Sequence, residues 1–271
     1  MNKNYTLKDH LSKVNPNDNY SRDYRNSCNW RDGYSLSPYW DQSNNIRHNN
    51  RGCCINSTVD DTPVPPLPIV TPASRAQTLV DLGRLSPLQV NTATGGKNFP
   101  DLNGGAVFWP FQDDVWSATP PEDGFILSGG QSGEISAVNF TDNQIAIFTL
   151  FAIRQWPRIR LSAGQILNIE WLYDRRRLTR GYRAFITRDD WNPNARITRA
   201  QLELRPFWEN INQEFPFWQF PAQLQPRTHH SIPIPFNKTG HHVIVLLWLI
   251  ADFEDAVYQA FDIDIDSNTV Y

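Results

Sequence analysis

From residue 124 onward, short β-prone runs recur with turn formers between them, and this cadence limits what the chain can fold into. Candidate strands are 125–127, 135–140, 145–151, 165–173, 182–187, 230–234, 242–250 and 256–264. In 182–187, Tyr182, Ala184 and Ile186 alternate with Arg183, Phe185 and Thr187, the period of two that a strand requires. The run 243–251, VIVLLWLIA, is apolar throughout. It is too short to span a bilayer and reads as a buried central strand. Strands at this spacing predict an all-β chain: an immunoglobulin- or fibronectin-like β-sandwich with long loops. Twenty prolines, 13% aromatic residues and a single methionine point the same way and argue against a helical bundle.

The first 62 residues are different. They are rich in Asn, Asp, Ser, Tyr and Arg and lack aliphatic periodicity, so alone they bury too little apolar surface to fold. They read as an N-terminal extended arm. Residues 63–68, PVPPLP, form a stiff linker, and 69–271 hold the sandwich. All three cysteines, Cys28, Cys53 and Cys54, lie in the arm. The neighbours Cys53 and Cys54 rarely pair with each other; pairing with Cys28, pairing with another chain as intersubunit disulfides, and free thiols all stay open. The start, Met1-Asn2-Lys3-Asn4-Tyr5, leads into polar sequence without an apolar leader core. The expectation is synthesis in the cytoplasm without a signal peptide, with any later release inside a particle or assembly. A formal net charge of -3 supplies no global field for nucleic acid or anionic lipid, so neither a nucleic-acid partner nor membrane insertion is expected.

The segment 164–208 carries the most specific signal. Tyr182-Arg183-Ala184-Phe185-Ile186-Thr187 is followed by Trp191-Asn192-Pro193-Asn194-Ala195-Arg196-Ile197-Thr198-Arg199 and then by Arg205-Pro206-Phe207-Trp208. Upstream stand Pro72-Ala73-Ser74-Arg75 and Pro121-Glu122-Asp123-Gly124. Downstream stand Gly240-His241-His242-Val243-Ile244, Trp248, Ala251-Asp252 and Ala256-Val257-Tyr258. In this order the motifs resemble the chitin-active lytic polysaccharide monooxygenases, the chitin-binding type 4 or auxiliary activity family 10 kind, over roughly residues 66–266.

That resemblance implies a copper ion held in a histidine brace, because amine and imidazole nitrogens suit copper in both oxidation states. By the resemblance, the first ligand lies six residues before Pro72, where this chain has Pro66. The second lies nine residues before Ile186, where it has Arg177. Proline within a chain offers neither free amine nor imidazole, and guanidinium has no lone pair to give. The axial aromatic corresponds to Val257. The expectation is therefore a degenerate, non-catalytic member with no copper and no other cofactor. His229-His230 and His241-His242 read as structural, since strand neighbours point to opposite faces.

The resemblance also locates a glycan- or partner-binding surface, for which Phe108, Trp109, Arg175, Arg176, Arg177, Asp252 and Asp255 are the candidates. Arg175, Arg176 and Arg177, with Arg180 and Arg183, form either an anion site or a solvated turn. Phe108-Trp109 suits stacking on a sugar or packing in the core. Asp262, Asp264 and Asp266 share one strand face and read as an exposed edge. Two functions follow. One is a self-associating structural subunit linked through the arm. The other is a chitin- or glycan-binding module of a virion, toxin or host-attack system that does not oxidise. An active copper enzyme would need processing to expose a new N-terminal histidine, and none stands at the required distance from Pro72.

Overall fold

The apolar run 243–251 becomes the spine of the molecule. The computed structural model describes residues 69–100 and 114–266. Within them, β8 (Gly240–Ile250) pairs on one side with β5 (Thr179–Ile186) and on the other with β9 (Asp255–Asp266), both antiparallel. β5 in turn pairs with β6 (Trp208–Ile211). The far side of β9 pairs near its start with β2 (Thr94–Gly96) and, in parallel, near its end with β3 (Arg158–Ser162). A second antiparallel sheet runs β1 (Val70–Thr71), β4 (Ile166–Trp171), β7 (His229–Pro233). The expected all-β sandwich is what forms.

β8 lies at the centre of its sheet, and Val243 through Ile250 are all buried. A strand buried on both faces reads as a continuous apolar run, which is why this one was legible. Between the sheets sit Trp171, Trp248 and Tyr182. Trp171 meets Trp248 edge-on at 6.0 Å between ring centroids. Each buried indole N–H has a partner: Trp171 donates to Asn91 Oδ1 and Trp248 to Thr179 Oγ1, both at 2.8 Å.

Three expected strands are not strands. Residues 125–127 and 135–140 fall mostly in short 3-10 helices (Ile126–Ser128 and Glu134–Asn139), and 145–151 falls mostly in α3 (Asp142–Phe148). Thr141 caps α3 by accepting from the Gln144 amide, while the Gln144 side chain accepts from the Thr141 amide. This reciprocal box starts a helix whatever the β-propensity of Ile145 and Ile147. Among the described residues the other α-helices are α1 (Arg75–Asp81), capped by Ser74, and α2 (Pro87–Val90).

β9 is not an edge strand, because β3 pairs with its residues 262–266; of the three aspartates expected to be exposed, Asp266 is exposed, Asp264 partly so and Asp262 not. Asp262 is buried. It accepts from Arg75 Nε at 2.6 Å and Nη2 at 2.9 Å and faces His241 Nε2 at 2.9 Å. Asp264 pairs with Arg158 at 3.3 Å.

Among the described histidines, His230 and His242 are buried and His241 is partly so. His229 is exposed, and its neighbour His230 is buried among Trp171, Tyr182 and Trp208. Burial lowers the His230 pKa from 6.5 to about 4. Between these values the unfolded chain takes up a proton that the folded chain refuses. This group's contribution is thus intact above pH 6.5 and is lost as pH falls toward 4, by about 3 kcal/mol. Chemical denaturation of wild type and His230→Leu at pH 7 and pH 4.5 checks this. The stability difference between the two proteins is expected to shift toward the variant on acidification; an unchanged difference would refute the assignment.

Candidate functional site

One end of the sandwich gathers β5 at its start, β6 and β8 at their ends, and β9 at its start. Loops 172–178 and 251–254 and the segment 114–119 close this end, and backbone bonds sew them together. Ala251 N donates to Leu178 O at 2.7 Å, Val115 N to Ala251 O at 3.4 Å and Ala118 N to Glu254 O at 3.0 Å. Gly96 permits the close approach, since a Cβ there would collide with the Ala118 carbonyl oxygen.

Two buried cations set the loops in place. Arg180 forms a bidentate pair with Asp114, with Nε–Oδ2 at 2.6 Å, and donates through Nη1 to Asn212 O and Glu214 O. Lys97 donates through Nζ to Ile250 O and Phe253 O, both at 2.9 Å. Burial, opposed mainly by Asp114, lowers Lys97 from 10.5 to about 8. Lys97→Met is expected to orphan both carbonyls and cost about 2 kcal/mol, since unsatisfied buried acceptors carry their full desolvation penalty. It also removes a pH response. Because the folded lysine releases its proton before the unfolded one, wild-type stability gains from this group as pH rises from about 8 toward 10.5. Thermal melts of both proteins across that range check both effects.

On the outside of this end stand Trp116, 69% exposed, and Phe253, 42% exposed, together with exposed Arg175, Arg176, Asp252 and Glu254. The Arg177 guanidinium lies over the Phe253 ring, 5.3 Å from its centroid. Asp255 is half-buried. Its pKa rises from 3.8 to about 6, chiefly by burial and by neighbouring Glu254, against the pull of Arg177 and Lys97. The fold thus brings together five of the seven expected surface residues: Arg175, Arg176, Arg177, Asp252 and Asp255. Phe108 and Trp109, like Pro66, Cys28, Cys53 and Cys54, lie outside the described residues.

Arg180 and Arg183 do not join the surface cluster. Both are buried, Arg180 on Asp114 and Arg183 on Glu209 at 2.6 Å. Arg180 is paired inside with buried Asp114, and the buried Arg183 guanidinium reaches Glu209, whose carboxylate is partly exposed, so neither arginine is itself on the outside. Sequence reasoning missed Trp116 and Phe253. The signal for Phe253 was a lone aromatic between Asp252 and Glu254, directly after the apolar run.

The residues at the positions that the resemblance assigns to copper do not fit that ion. Arg177 presents a guanidinium, which has no lone pair to give a metal and lies over the Phe253 ring. Val257 is buried in β9 opposite Trp248 and brings no aromatic to the face. Among the described residues, no three His, Cys, Asp or Glu side chains converge as a metal-ligand group.

A β-sandwich with one end built from inter-strand loops defines an architectural class, the immunoglobulin-like sandwiches. Within it, this chain belongs to the family described as "Lytic polysaccharide mono-oxygenase, cellulose-degrading", whose model matches residues 68–263. The chain is 32% identical over 179 residues to GlcNAc-binding protein A of Photobacterium profundum, covering 65% of this chain and 32% of that protein. It is 31% identical over 166 residues to the protein of that name from Aliivibrio fischeri, covering 60% and 31%. It therefore spans about a third of the length of these curated relatives. A crystal structure of a chitin binding domain from Burkholderia pseudomallei superposes with a TM-score of 0.64 at 34% identity, covering 72% of this chain and 96% of that one. An AA10 lytic polysaccharide monooxygenase from Streptomyces lividans superposes with a TM-score of 0.52 at 25% identity, covering 71% and 96%.

Proposed function

We propose that this chain binds a chitin-type polysaccharide through the β5–β8 end of its sandwich and does not oxidise it. The observation that carries this reading is Arg177 stacked on Phe253, beside exposed Trp116, where the resemblance expects a copper-binding histidine. Exposed rings held on a rigid base offer apolar faces to sugar rings, and Arg175, Arg176 and Asp252 offer hydrogen bonds to hydroxyl and acetamido groups. The similarity to proteins named for chitin and GlcNAc binding supports the ligand class.

The test incubates the full chain with insoluble chitin and with cellulose and measures depletion from solution. Copper and a reductant are then added and the soluble products analysed. Retention on chitin without oxidised chain ends is expected. Protein that stays wholly in solution with both polymers refutes the binding, and oxidised products refute the copper-free reading.

A second reading places function in the arm, where all three cysteines lie within the first 54 residues. On this reading the chain is a structural subunit that self-associates through residues 1–62. Light scattering with and without reductant decides it: large assemblies that loosen on reduction are expected, and a monomer in both conditions refutes it.

A further inference from the structure

At the opposite end of β5, a groove of about 800 Å³ opens between the chain after Ile186, the segment 202–207 and the β7–β8 connection. At the usual rise along a strand, the eight residues of β5 set it roughly 25 Å from the end just described. Its size falls in the range of pockets that hold small organic ligands.

The floor is apolar, with Ile186 and Leu202 buried and Phe207 partly so. The rim is charged in an unusual way. The Lys238 side chain is 3% exposed, yet its ammonium lies 2.9 Å from Asp189 Oδ1 and 2.7 Å from Glu203 Oε1, on carboxylates that are 70% and 45% exposed. A desolvated cation therefore holds two solvent-facing acceptors in fixed positions. Its hydrogen bond keeps the Asp189 carboxyl below its usual range, so Asp189 accepts and does not donate. Exposed Arg205 and Asn237 add donors.

Formal charge in the lining balances: Arg188, Arg205 and Lys238 against Asp189, Asp190 and Glu203. Such a rim gives no net preference for an anion or a cation. It suits a neutral ligand with many hydroxyls and an apolar face. A pyranose has both, since its C–H face covers an apolar floor and its vicinal hydroxyl pairs match the two-atom geometry of carboxylate and guanidinium.

We propose that this groove is a second carbohydrate site, distinct from the β5–β8 end, that takes a soluble neutral oligosaccharide. It does not depend on the reading of the other end, and one domain would then hold two glycan segments at once.

The test titrates the full chain by calorimetry with N-acetylglucosamine hexasaccharide and with glucose hexasaccharide. Two double variants of exposed side chains are compared with wild type, one at each end: Asp190→Ala with Arg205→Ala, and Trp116→Ala with Phe253→Ala. Saturable binding of at least one sugar is expected, weakened roughly tenfold or more by the groove variant, while retention on insoluble chitin is unchanged. The end-face variant is expected to keep the groove affinity. Binding of both sugars unaltered in the groove variant overturns the proposal, as does absence of saturable binding to wild type in the millimolar range.

Discussion

Alanine at Arg75 is expected to lower the unfolding free energy by about 3–5 kcal/mol, because it strands a buried carboxylate. Arg75 opens α1, and its guanidinium donates four hydrogen bonds. Two bonds go to Asp262, Nη1 donates to Val138 O at 3.0 Å and Phe140 O at 3.1 Å, and the group lies over the Trp156 ring at 4.8 Å. One side chain thereby ties α1, the 3-10 turns and β9 together. Without it, the buried Asp262 carboxylate loses both guanidinium bonds and retains the His241 contact at 2.9 Å. For a domain of this size the loss corresponds to a fall in melting temperature of about 10 °C. Arg158→Ala is the control. Arg158 pairs with Asp142 and Asp264 near the surface, where solvent screens the pair, and should cost under about 1 kcal/mol. Thermal melts of the two variants side by side decide it, and equal losses would refute the argument.

The second large effect concerns binding. Trp116→Ala combined with Phe253→Ala is expected to weaken retention on insoluble chitin by about 10- to 100-fold, or about 1.4–2.8 kcal/mol. Both rings are exposed, so the melting temperature should move little. Depletion isotherms on chitin, with a melt of each protein, separate lost contact from lost fold. Unchanged retention would remove the β5–β8 end from consideration as the binding face. Phe253 carries an added consequence, since its removal frees the Arg177 guanidinium that stacks on it.

How far the chain could be read depended on local signals. β8 was legible because nine consecutive apolar residues leave few alternatives. β4, β5, β7 and β9 were legible from β-prone runs between turn formers. α3 was misread because a short apolar run does not tell helix from strand, although Thr141 and Gln144 held the deciding signal. β1, β2, β3 and β6 were missed, being short and anchored by partners elsewhere in the chain: β1 by β4, β2 by the first residues of β9, β3 by its last residues, β6 by β5. The arginines divided in the same way. Arg175, Arg176, Arg177, Arg180 and Arg183 form one cluster along the chain, yet the last two enter β5, a strand buried along its whole length. The alternation in 182–187 does not say which side faces water. Asp114 arrives from another segment to hold Arg180 inside, and Arg183 reaches partly exposed Glu209 of β6.

Composition, the rhythm of short strands and the order of motifs were enough to establish the sandwich and its family, because both rest on local propensity and on residues adjacent in the chain. The same is true of the identities at the ligand positions, since Arg177 and Val257 are what they are before anything folds. The folded arrangement alone decided which charges face water. It also decided that Trp116 and Phe253 share one end of the sandwich and that a buried lysine holds two carboxylates over a groove at the other. Those outcomes depend on contacts between residues far apart in sequence, where burial and pairing, not residue type, set what a side chain can do.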